Sequence, residues 1–174
     1  MFRNIIIGLM VLTFSAISLA QAGEAQYTYE GYLARGHAQY LAKNYAGALS
    51  EYEQAKALAP TRADAYYFMG CAVSKQNRYD DAVNFFKNAA TIAAEADVNM
   101  HAKSMFLIAV VWERAGELAK AKFAWSEYKN FAKSHSGTTM YSQVADDRVK
   151  VIERAEKLNS DYQIVRDRIA SGKN

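Results

Sequence analysis

Residues 36–60 read GHAQYLAKNYAGALSEYEQAKALAP, and residues 70–94 read GCAVSKQNRYDDAVNFFKNAATIAA. Small and aromatic residues recur between the two stretches at one constant interval: Gly36, Ala48, Tyr52, Ala55 and Pro60 in the first, and Gly70, Ala82, Phe86, Ala89 and Ala94 in the second. The interval is about 34 residues, and a fixed period of this length indicates a helical repeat, in which each unit is a helix–turn–helix pair that stacks on its neighbours. The spacing therefore predicts an all-α fold.

The small residues of this pattern predict how the helices pack. We expect Gly36 and Ala48 where the two helices of one repeat cross, and Ala55 where the second helix meets the next repeat. A bulky side chain at these points would push the helix axes beyond the roughly 8–10 Å that is typical of packed helices. The large aromatic residues around them then fill the remaining space.

Local signals place the ends of the helices. The pattern predicts four helices in the two repeats, over 29–43, 44–59, 62–76 and 79–93. Pro60 ends the second helix because it cannot continue a helix easily. Thr61 is a candidate N-cap for the third helix, and Asn77 suits a left-handed turn before the fourth.

At nearly all of its defining positions, the stretch 29–96 resembles the tetratricopeptide repeat (TPR) family. The resemblance implies a right-handed α-solenoid of helix–turn–helix repeats, with the first two at about 29–62 and 63–96. We refer to these as repeat one and repeat two.

A third, degenerate unit at 102–135 follows the pattern in part. Four of its residues, Ala109, Trp112, Ala121 and Trp125, recover the spacing of Gly70, Val73, Ala82 and Phe86, but five positions later than a strict repeat would place them. We expect the five extra residues in the connection near 97–101. Gly116 takes the turn position of Asn77, and Tyr128 stands where the family has alanine. The sequence thus predicts one TPR-like domain over 23–136.

A long helix is predicted over 138–171, after a break at Ser136-Gly137. Its apolar residues alternate spacings of three and four, a heptad seam with one polar member at Arg148; the others are Tyr141, Val144, Val151, Ala155, Leu158, Tyr162, Val165 and Ile169. One interpretation is a capping helix that covers the last repeat. The other is a distal half that projects and forms a homodimer through Leu158, Tyr162, Val165 and Ile169. Asn159-Ser160-Asp161 could bend or interrupt the helix.

Residues 1–22 have the pattern of a secretory signal peptide. Arg3 precedes an apolar run over 5–19, and Ala20-Gln21-Ala22 forms a small-residue cleavage site. We expect cleavage after Ala22 and a periplasmic or secreted protein without a membrane span, because a spanning helix needs about 20 apolar residues. An uncleaved anchor is the alternative.

Cys71 is the only cysteine, so an oxidising compartment would bring no internal disulfide. We expect Cys71 to be a small buried apolar residue; a mixed disulfide with a partner is the alternative. The histidines His37, His101 and His135 lack metal-ligand spacing, and no phosphate loop or nucleophile motif occurs. The sequence therefore predicts a protein without catalytic activity, metal or cofactor.

Charge and composition bear on the partner class. Net charge is +3, with 51% apolar and 22% charged residues, which is typical of a globular domain. The balance is too mild to indicate nucleic-acid binding, and no basic stripe accompanies it.

The resemblance also implies that the first helix of each repeat lines a concave groove. The residues placed there are Glu30, Leu33, His37 and Tyr40 in repeat one, Tyr67, Ser74 and Lys75 in repeat two, and Lys103, Phe106 and Arg114 in the third unit. This mixture suits an extended or helical peptide bound through a few apolar anchors. Packing against the protein's own N-terminal segment or final helix is the structural alternative for each residue.

Some TPR proteins clamp a carboxylate with a lysine and an asparagine at two groove positions of the first repeat, where this chain has Leu33 and His37. That type of clamp is therefore absent. The expected function is a protein-interaction scaffold of the bacterial cell envelope that binds a peptide or protein partner in its groove. The alternative is a structural self-assembly element that uses the C-terminal heptad helix.

Overall fold

The computed structural model describes residues 27–94, 96–135 and 141–172. Within these ranges the chain forms seven α-helices: α1 Tyr29–Leu41, α2 Tyr45–Leu58, α3 Ala63–Lys75, α4 Tyr79–Ala93, α5 Val98–Arg114, α6 Leu118–Ser134 and α7 Ser142–Ala170. The chain divides between Thr61 and Arg62 into two compact units. The first unit contains repeat one. The second unit contains repeat two, the degenerate repeat at 102–135 (the third unit of the sequence pattern) and α7. The predicted signal peptide, 1–22, lies outside the described residues. The predicted all-α class is confirmed.

The first unit is a helix pair whose ends and crossing follow from its sequence. The Thr28 hydroxyl caps α1 by accepting from the Gly31 amide at 3.1 Å, and the Asn44 side chain caps α2 by accepting from the Gly47 amide at 3.1 Å. A Cβ at Gly36 would overlap the ring of Tyr52, which is 1% exposed. The expectation that Gly36 marks the helix crossing is confirmed.

Repeat two, in the second unit, is built in the same way. A Cβ at Gly70 would lie 2.7 Å from the ring of Phe86, which is 1% exposed. Helix α4 spans the predicted residues, but the predicted Thr61 cap is wrong. Arg62 holds the N-cap position without a side-chain cap, and its guanidinium donates to Asp64 at 3.1 Å. The Asp64 carboxylate in the first turn instead complements the positive end of the helix dipole.

The third unit keeps the crossing but lengthens its first helix. Ala109 and Trp125 are both fully buried, and their separation along the chain is the same as that of Gly70 and Phe86. Eleven residues of α5 precede Ala109, whereas seven residues of α3 precede Gly70. Asp97 caps α5 by accepting from the Met100 amide at 2.9 Å. The extra residues therefore mostly form one added helical turn, and their predicted place in the connection is wrong.

The turns inside the three repeats share a left-handed residue. Asn77 has φ 60° and Gly116 has φ 77°, as the sequence predicts. Lys43, one repeat period before Asn77, has φ 61°. The sequence pattern did not identify Lys43, because lysine has no intrinsic preference for this conformation.

Helix α7 packs on α6 through a face that the heptad pattern does not contain. Ala145 and Ile152 are buried in the core of the third unit, and Val149 packs against that core. The Lys129 ammonium pairs with Asp146, which lowers the pKa of that carboxyl. The helix runs through Asn159-Ser160-Asp161 without a break, so these residues do not interrupt it.

Glu113 of α5 is a shared acceptor that joins the third unit to α7. The indole N–H of Trp125 donates to its Oε1 at 2.8 Å. The Nε of Arg148 donates to both carboxylate oxygens at 3.1 and 3.2 Å, and this hydrogen bonding raises the pKa of the guanidinium. Arg148, the polar member of the seam, is therefore the residue that fastens α7 to α5.

Among the helices of the described residues, α7 is the longest, with 29 residues, and charged residues occur along its whole length. Across the described ranges, none of the helices is long and apolar enough to cross a membrane. The exposed apolar residues of α7 therefore do not form a spanning segment.

Candidate functional site

A pocket of about 320 Å³ lies in the second unit between α3, α5, α6 and the start of α7. Its lining residues come from four different segments: Tyr67, Asn99, Ala102, Lys103, Phe106, Leu107, Tyr128 and Tyr141. Three tyrosines and one phenylalanine supply most of the aromatic surface. One ammonium, one carboxamide and the tyrosine hydroxyls supply the polar groups, a composition typical of a binding cleft.

The aromatic walls of this pocket are fixed by the core behind them. The ring of Phe106 meets the ring of Trp125 edge to face, with centroids 5.0 Å apart, and the ring of Tyr128 at 5.5 Å. The ring of Tyr67 meets that of Phe86 at 5.7 Å. Edge-to-face pairs are a favoured aromatic geometry. The pocket is therefore preformed, and a ligand would not have to order these rings.

Tyr141 forms the outer side of the pocket. Its backbone amide donates to the Tyr128 hydroxyl at 3.3 Å, and its side chain is 69% exposed. The hydroxyl of Tyr128 thus positions the chain that leads into α7. A partly exposed ring at the edge of a preformed cleft can close over a bound side chain without breaking the core.

The lysine in this pocket sets the preferred charge of a ligand. Lys103 is exposed and lies on the same helix as Phe106, three residues earlier. Its ammonium can pair with a carboxylate or donate to a carbonyl, since it only donates hydrogen bonds. The arrangement fits an apolar side chain seated against the rings, with an acidic group or a carbonyl beside it.

Three of the predicted groove residues, Tyr67, Lys103 and Phe106, meet in this pocket. Two others pair with each other, because the Arg114 guanidinium donates to the Ser74 hydroxyl at 3.3 Å. Ser74 is 5% exposed, so its side chain offers little surface to a ligand. Lys75 is exposed at the end of α3.

In the first unit, the predicted groove residues divide into core and surface. Leu33 is buried, and the Nδ1 of His37 is hydrogen-bonded to the Tyr52 hydroxyl at 2.9 Å. Burial lowers the pKa of His37. Glu30 is exposed and Tyr40 is half-buried, with its ring 5.3 Å from that of Tyr45. Leu33 and His37 therefore serve the internal packing of this unit.

Sequence reasoning missed most of the other residues that line the pocket. Asn99 lies in the added turn of α5, which the repeat pattern does not predict. In the sequence pattern, Tyr128 is a departure from the family alanine, and Tyr141 belongs to the heptad seam. The available signal was Tyr128 at a position where the family has a small alanine. A tyrosine side chain cannot fit into the tight helix contact of a regular repeat, so the packing around it must differ from that of the regular repeat.

A larger pocket, of about 680 Å³, lies on the nearly opposite face of α5. Met105, Ile108 and Trp112 line it from α5, and Phe123, 68% exposed, lines it from α6. The Lys120 ammonium lies 4.4 Å from the centroid of the Trp112 ring, within cation–π range. This second surface contains none of the predicted groove residues.

Cys71 lies on α3 and is largely shielded. Burial raises the pKa of its thiol to about 12, against an opposing effect of the Lys75 ammonium. The thiolate is the reactive form in disulfide exchange, so a thiol with this pKa reacts slowly near neutral pH. The environment favours a structural role for Cys71.

Comparisons with known proteins identify the fold. No protein-family model matches the sequence, and no curated protein matches it either. Among solved structures, the N-terminal domain of stress-induced protein-1 (STI-1) from C. elegans aligns with a TM-score of 0.61 and 18% identity, covering 72% of this chain and 94% of that one. The TPR domain of Arabidopsis OM64 aligns with a TM-score of 0.55 and 18% identity, covering 71% and 94%.

A third similar structure is a bacterial chaperone with a bound peptide. It is the Yersinia enterocolitica type III secretion chaperone SycD in complex with a peptide of the translocator YopD, with a TM-score of 0.58 and 18% identity, covering 75% of this chain and 93% of that one. At this identity the likeness bears on fold alone. The predicted TPR-like fold is confirmed.

Proposed function

We propose that this protein is an interaction scaffold that binds a peptide segment of a protein partner in the 320 Å³ pocket. One observation carries the proposal: Tyr67, Lys103 and Phe106, placed in a groove on sequence grounds, line one preformed aromatic pocket with Tyr128 and Tyr141. Hot-spot residues of protein interfaces are typically aromatic and seated in well-packed pockets. The pocket has the dimensions to seat one or two side chains of such a segment.

The fold supports this proposal. TPR-like helix pairs present extended surfaces along their first helices. The structurally similar SycD is described in complex with a translocator peptide. Because the likeness extends only to the fold, the residues that would contact a partner here are this chain's own.

The chemistry of the pocket narrows the proposed ligand. An aromatic or branched apolar side chain would seat against Phe106 and Tyr67, and an acidic residue nearby would pair with Lys103. Such a segment could be extended or helical, since both present an apolar anchor beside a polar neighbour. The affinity would fall with added salt to the extent that Lys103 contributes, because exposed ion pairs are screened.

The proposed setting is the bacterial cell envelope, with the mature chain beginning at Gly23 in the periplasm or outside the cell. The basic, apolar and small-residue order of residues 3–22 supports it. N-terminal sequencing of the protein from its host, combined with fractionation of the cells, tests this part. A protein that starts at Met1 in the cytoplasm would overturn it.

The groove proposal is tested with a matched pair of lysine variants. A photo-crosslinking residue at position 141 in the native host identifies the partner, and the corresponding peptide is then titrated. We expect Lys103→Glu to weaken binding about tenfold, because an attraction becomes a repulsion. Lys87→Glu, on the lysine that lines the opposite pocket, is the control and should leave the affinity unchanged.

Removal of the aromatic anchors gives the larger effect. We expect Tyr67→Ala with Phe106→Ala to weaken binding about 30-fold or more, as is usual for hot spots worth about 2 kcal/mol. Circular dichroism checks that the helices remain. Equal affinity in the double variant, or a larger loss from Phe123→Ala in the opposite pocket, would show that the partner binds elsewhere.

A further inference from the structure

Helix α7 carries two apolar faces, and the third unit covers one of them. The covered face contains Ala145, Val149 and Ile152. The other is the heptad seam from Val151 to Ile169, which lies about 120° around the helix, because successive residues are about 100° apart. Six residues form it: Val151, Ala155, Leu158, Tyr162, Val165 and Ile169. All six are exposed, and Ile169 is 75% exposed.

The contact between α7 and the rest of the second unit ends at Glu156. The Lys122 ammonium donates to the Glu156 carboxylate at 2.8 Å, the last interaction described between α7 and α6. Every described residue from 157 to 172 is exposed. The final three to four turns of α7 therefore extend beyond the surface that its first half covers.

The distal half of α7 is a weak helix by itself. Asn159, Ser160 and Asp161 are unfavourable in helix interiors, and Ile164-Val165 adds a β-branched pair. Isolated helices shorter than about 12–15 residues are marginal in water, and most helices are stabilised by packing of an apolar face. The helix nevertheless continues to Ala170, where Ser171 is the C-cap and Gly172 follows with φ 64°. Packing of a partner on the exposed seam is therefore the interaction that would stabilise this half of α7.

We propose that a second copy of this chain packs on the seam as a parallel two-stranded coiled coil over residues 151–169. Val151, Leu158 and Val165 occupy the d positions, and Ala155, Tyr162 and Ile169 occupy the a positions. A second copy presents the same alternation of three and four, so the apolar layers match along the whole seam. This dimer goes beyond peptide binding and does not depend on it.

Charges beside the seam favour this partner and orientation. In a parallel pair, Asp161 at a g position faces Arg166 at the e position of the other chain, and symmetry produces this attraction twice. In an antiparallel pair centred on the same residues, Asp161 of one chain faces Asp161 of the other, and Arg154 of one chain faces Arg168 of the other. Like charges at these positions are destabilising.

The charge balance of the distal half argues against a membrane surface as the partner. Residues 153–172 contain four basic side chains, Arg154, Lys157, Arg166 and Arg168, and four acidic ones, Glu153, Glu156, Asp161 and Asp167. Their net charge is zero. Helices that lie on anionic membranes usually carry an excess of lysine and arginine on the polar face.

The test is the mass in solution of the purified protein and of two matched variants. Sedimentation equilibrium should give twice the mass of one chain for the wild type, and the mass of one chain for Leu158→Glu with Val165→Glu. Ile164→Glu is the control, since Ile164 is equally exposed on the same helix but lies off the seam. A monomeric wild type overturns the proposal, as does an Ile164→Glu variant that dissociates as fully as the seam variant.

Further variants report the orientation. Leu158→Cys should form an interchain disulfide on mild oxidation, because equivalent d residues meet in a parallel pair and not in an antiparallel one. Asp161→Arg should lower the association constant roughly tenfold, and Asp161→Arg with Arg166→Asp should restore it. In an antiparallel pair, Asp161→Arg should leave the association constant unchanged and Arg168→Asp should raise it. That combination of results overturns the parallel pair. If the wild-type monomer binds anionic vesicles and Leu158→Glu with Val165→Glu abolishes that binding, then the seam packs on a membrane surface and not on a second copy. That result overturns the choice of partner.

Discussion

The crossing of repeat two and the crossing of the third unit use one spacing with different side chains. Gly70 faces Phe86 in repeat two, and Ala109 and Trp125, at the same separation along the chain, lie in one buried core in the third unit. At position 70 a Cβ would lie 2.7 Å from the phenyl ring, whereas at position 109 the Cβ is present and fully buried. The same helix crossing therefore accommodates either glycine or alanine. The alanine fits only if the facing aromatic ring leaves room for its Cβ.

The two crossings differ more in what they connect. Phe86 has no polar atom in its side chain, so its contribution is packing alone. Trp125 has an indole N–H that donates to Glu113, and Glu113 also accepts from Arg148 of α7. A change at the third crossing should therefore reach the final helix, whereas a change at repeat two should stay local.

Loss of the large rings should have the largest effect. Phe86→Ala and Trp125→Ala should each destabilise the protein by about 3–5 kcal/mol, the usual cost of removing a buried aromatic side chain. Hydrogen exchange should separate them: Trp125→Ala accelerates exchange in α7, and Phe86→Ala does not. Trp125→Phe, which keeps a ring but removes the donor, is the milder companion and should still loosen α7. Equal exchange of α7 in all three variants would remove the proposed link through Glu113.

Exchanging the small residues should have an intermediate effect. Gly70→Ala should destabilise the protein by about 1–3 kcal/mol, because the added methyl overlaps the buried ring of Phe86. Ala109→Gly should cost about 1 kcal/mol, through helix propensity. Urea denaturation of the two variants measures both values. A stabilising Gly70→Ala would mean that repeat two tolerates the alanine of the third unit.

Acid pH should have the smallest effect, and we expect it at the ion pair between α6 and α7. The Lys129 ammonium lowers the pKa of Asp146, so this ion pair stabilises the folded state above the ordinary carboxyl pKa near 3.8 and is lost as pH falls below it. Exchange in α7 should then rise relative to exchange in α3 and α4. Asp146→Asn should remove this added pH dependence. An unchanged dependence in that variant would assign it to other carboxylates.

Much of the fold could be predicted because the repeat constrains the sequence at several levels. A glycine facing an aromatic ring, and asparagine or glycine in a left-handed turn, are residue choices that the geometry dictates. Lys43 takes the same turn conformation without such a choice, so only its spacing from Asn77 reveals it. The predicted Thr61 cap is wrong because α3 begins at Ala63, one residue later than the sequence indicates, which places Arg62 at the N-cap.

The final helix shows why an apolar pattern does not name its partner. The three-and-four alternation correctly predicted a long helix, but Ala145 and Ile152, which pack on α6, lie outside that alternation. A small residue such as Ala145 gives little signal in a sequence, although it permits close helix approach. The pocket was partly predicted for the same reason: Tyr67, Lys103 and Phe106 follow the repeat, whereas Asn99 and Tyr141 belong to departures from it.

The added turn at the start of α5 shows which insertions a helical repeat can accept. Four extra residues advance a helix by about 400°, so the faces beyond the insertion keep their phase within about 40°. Ala109 and Trp125 still share one buried core, while Asn99 of the added turn lines the pocket. An insertion of one whole turn therefore deepens a cleft without rebuilding the core, whereas an insertion of two residues would rotate the crossing face toward solvent.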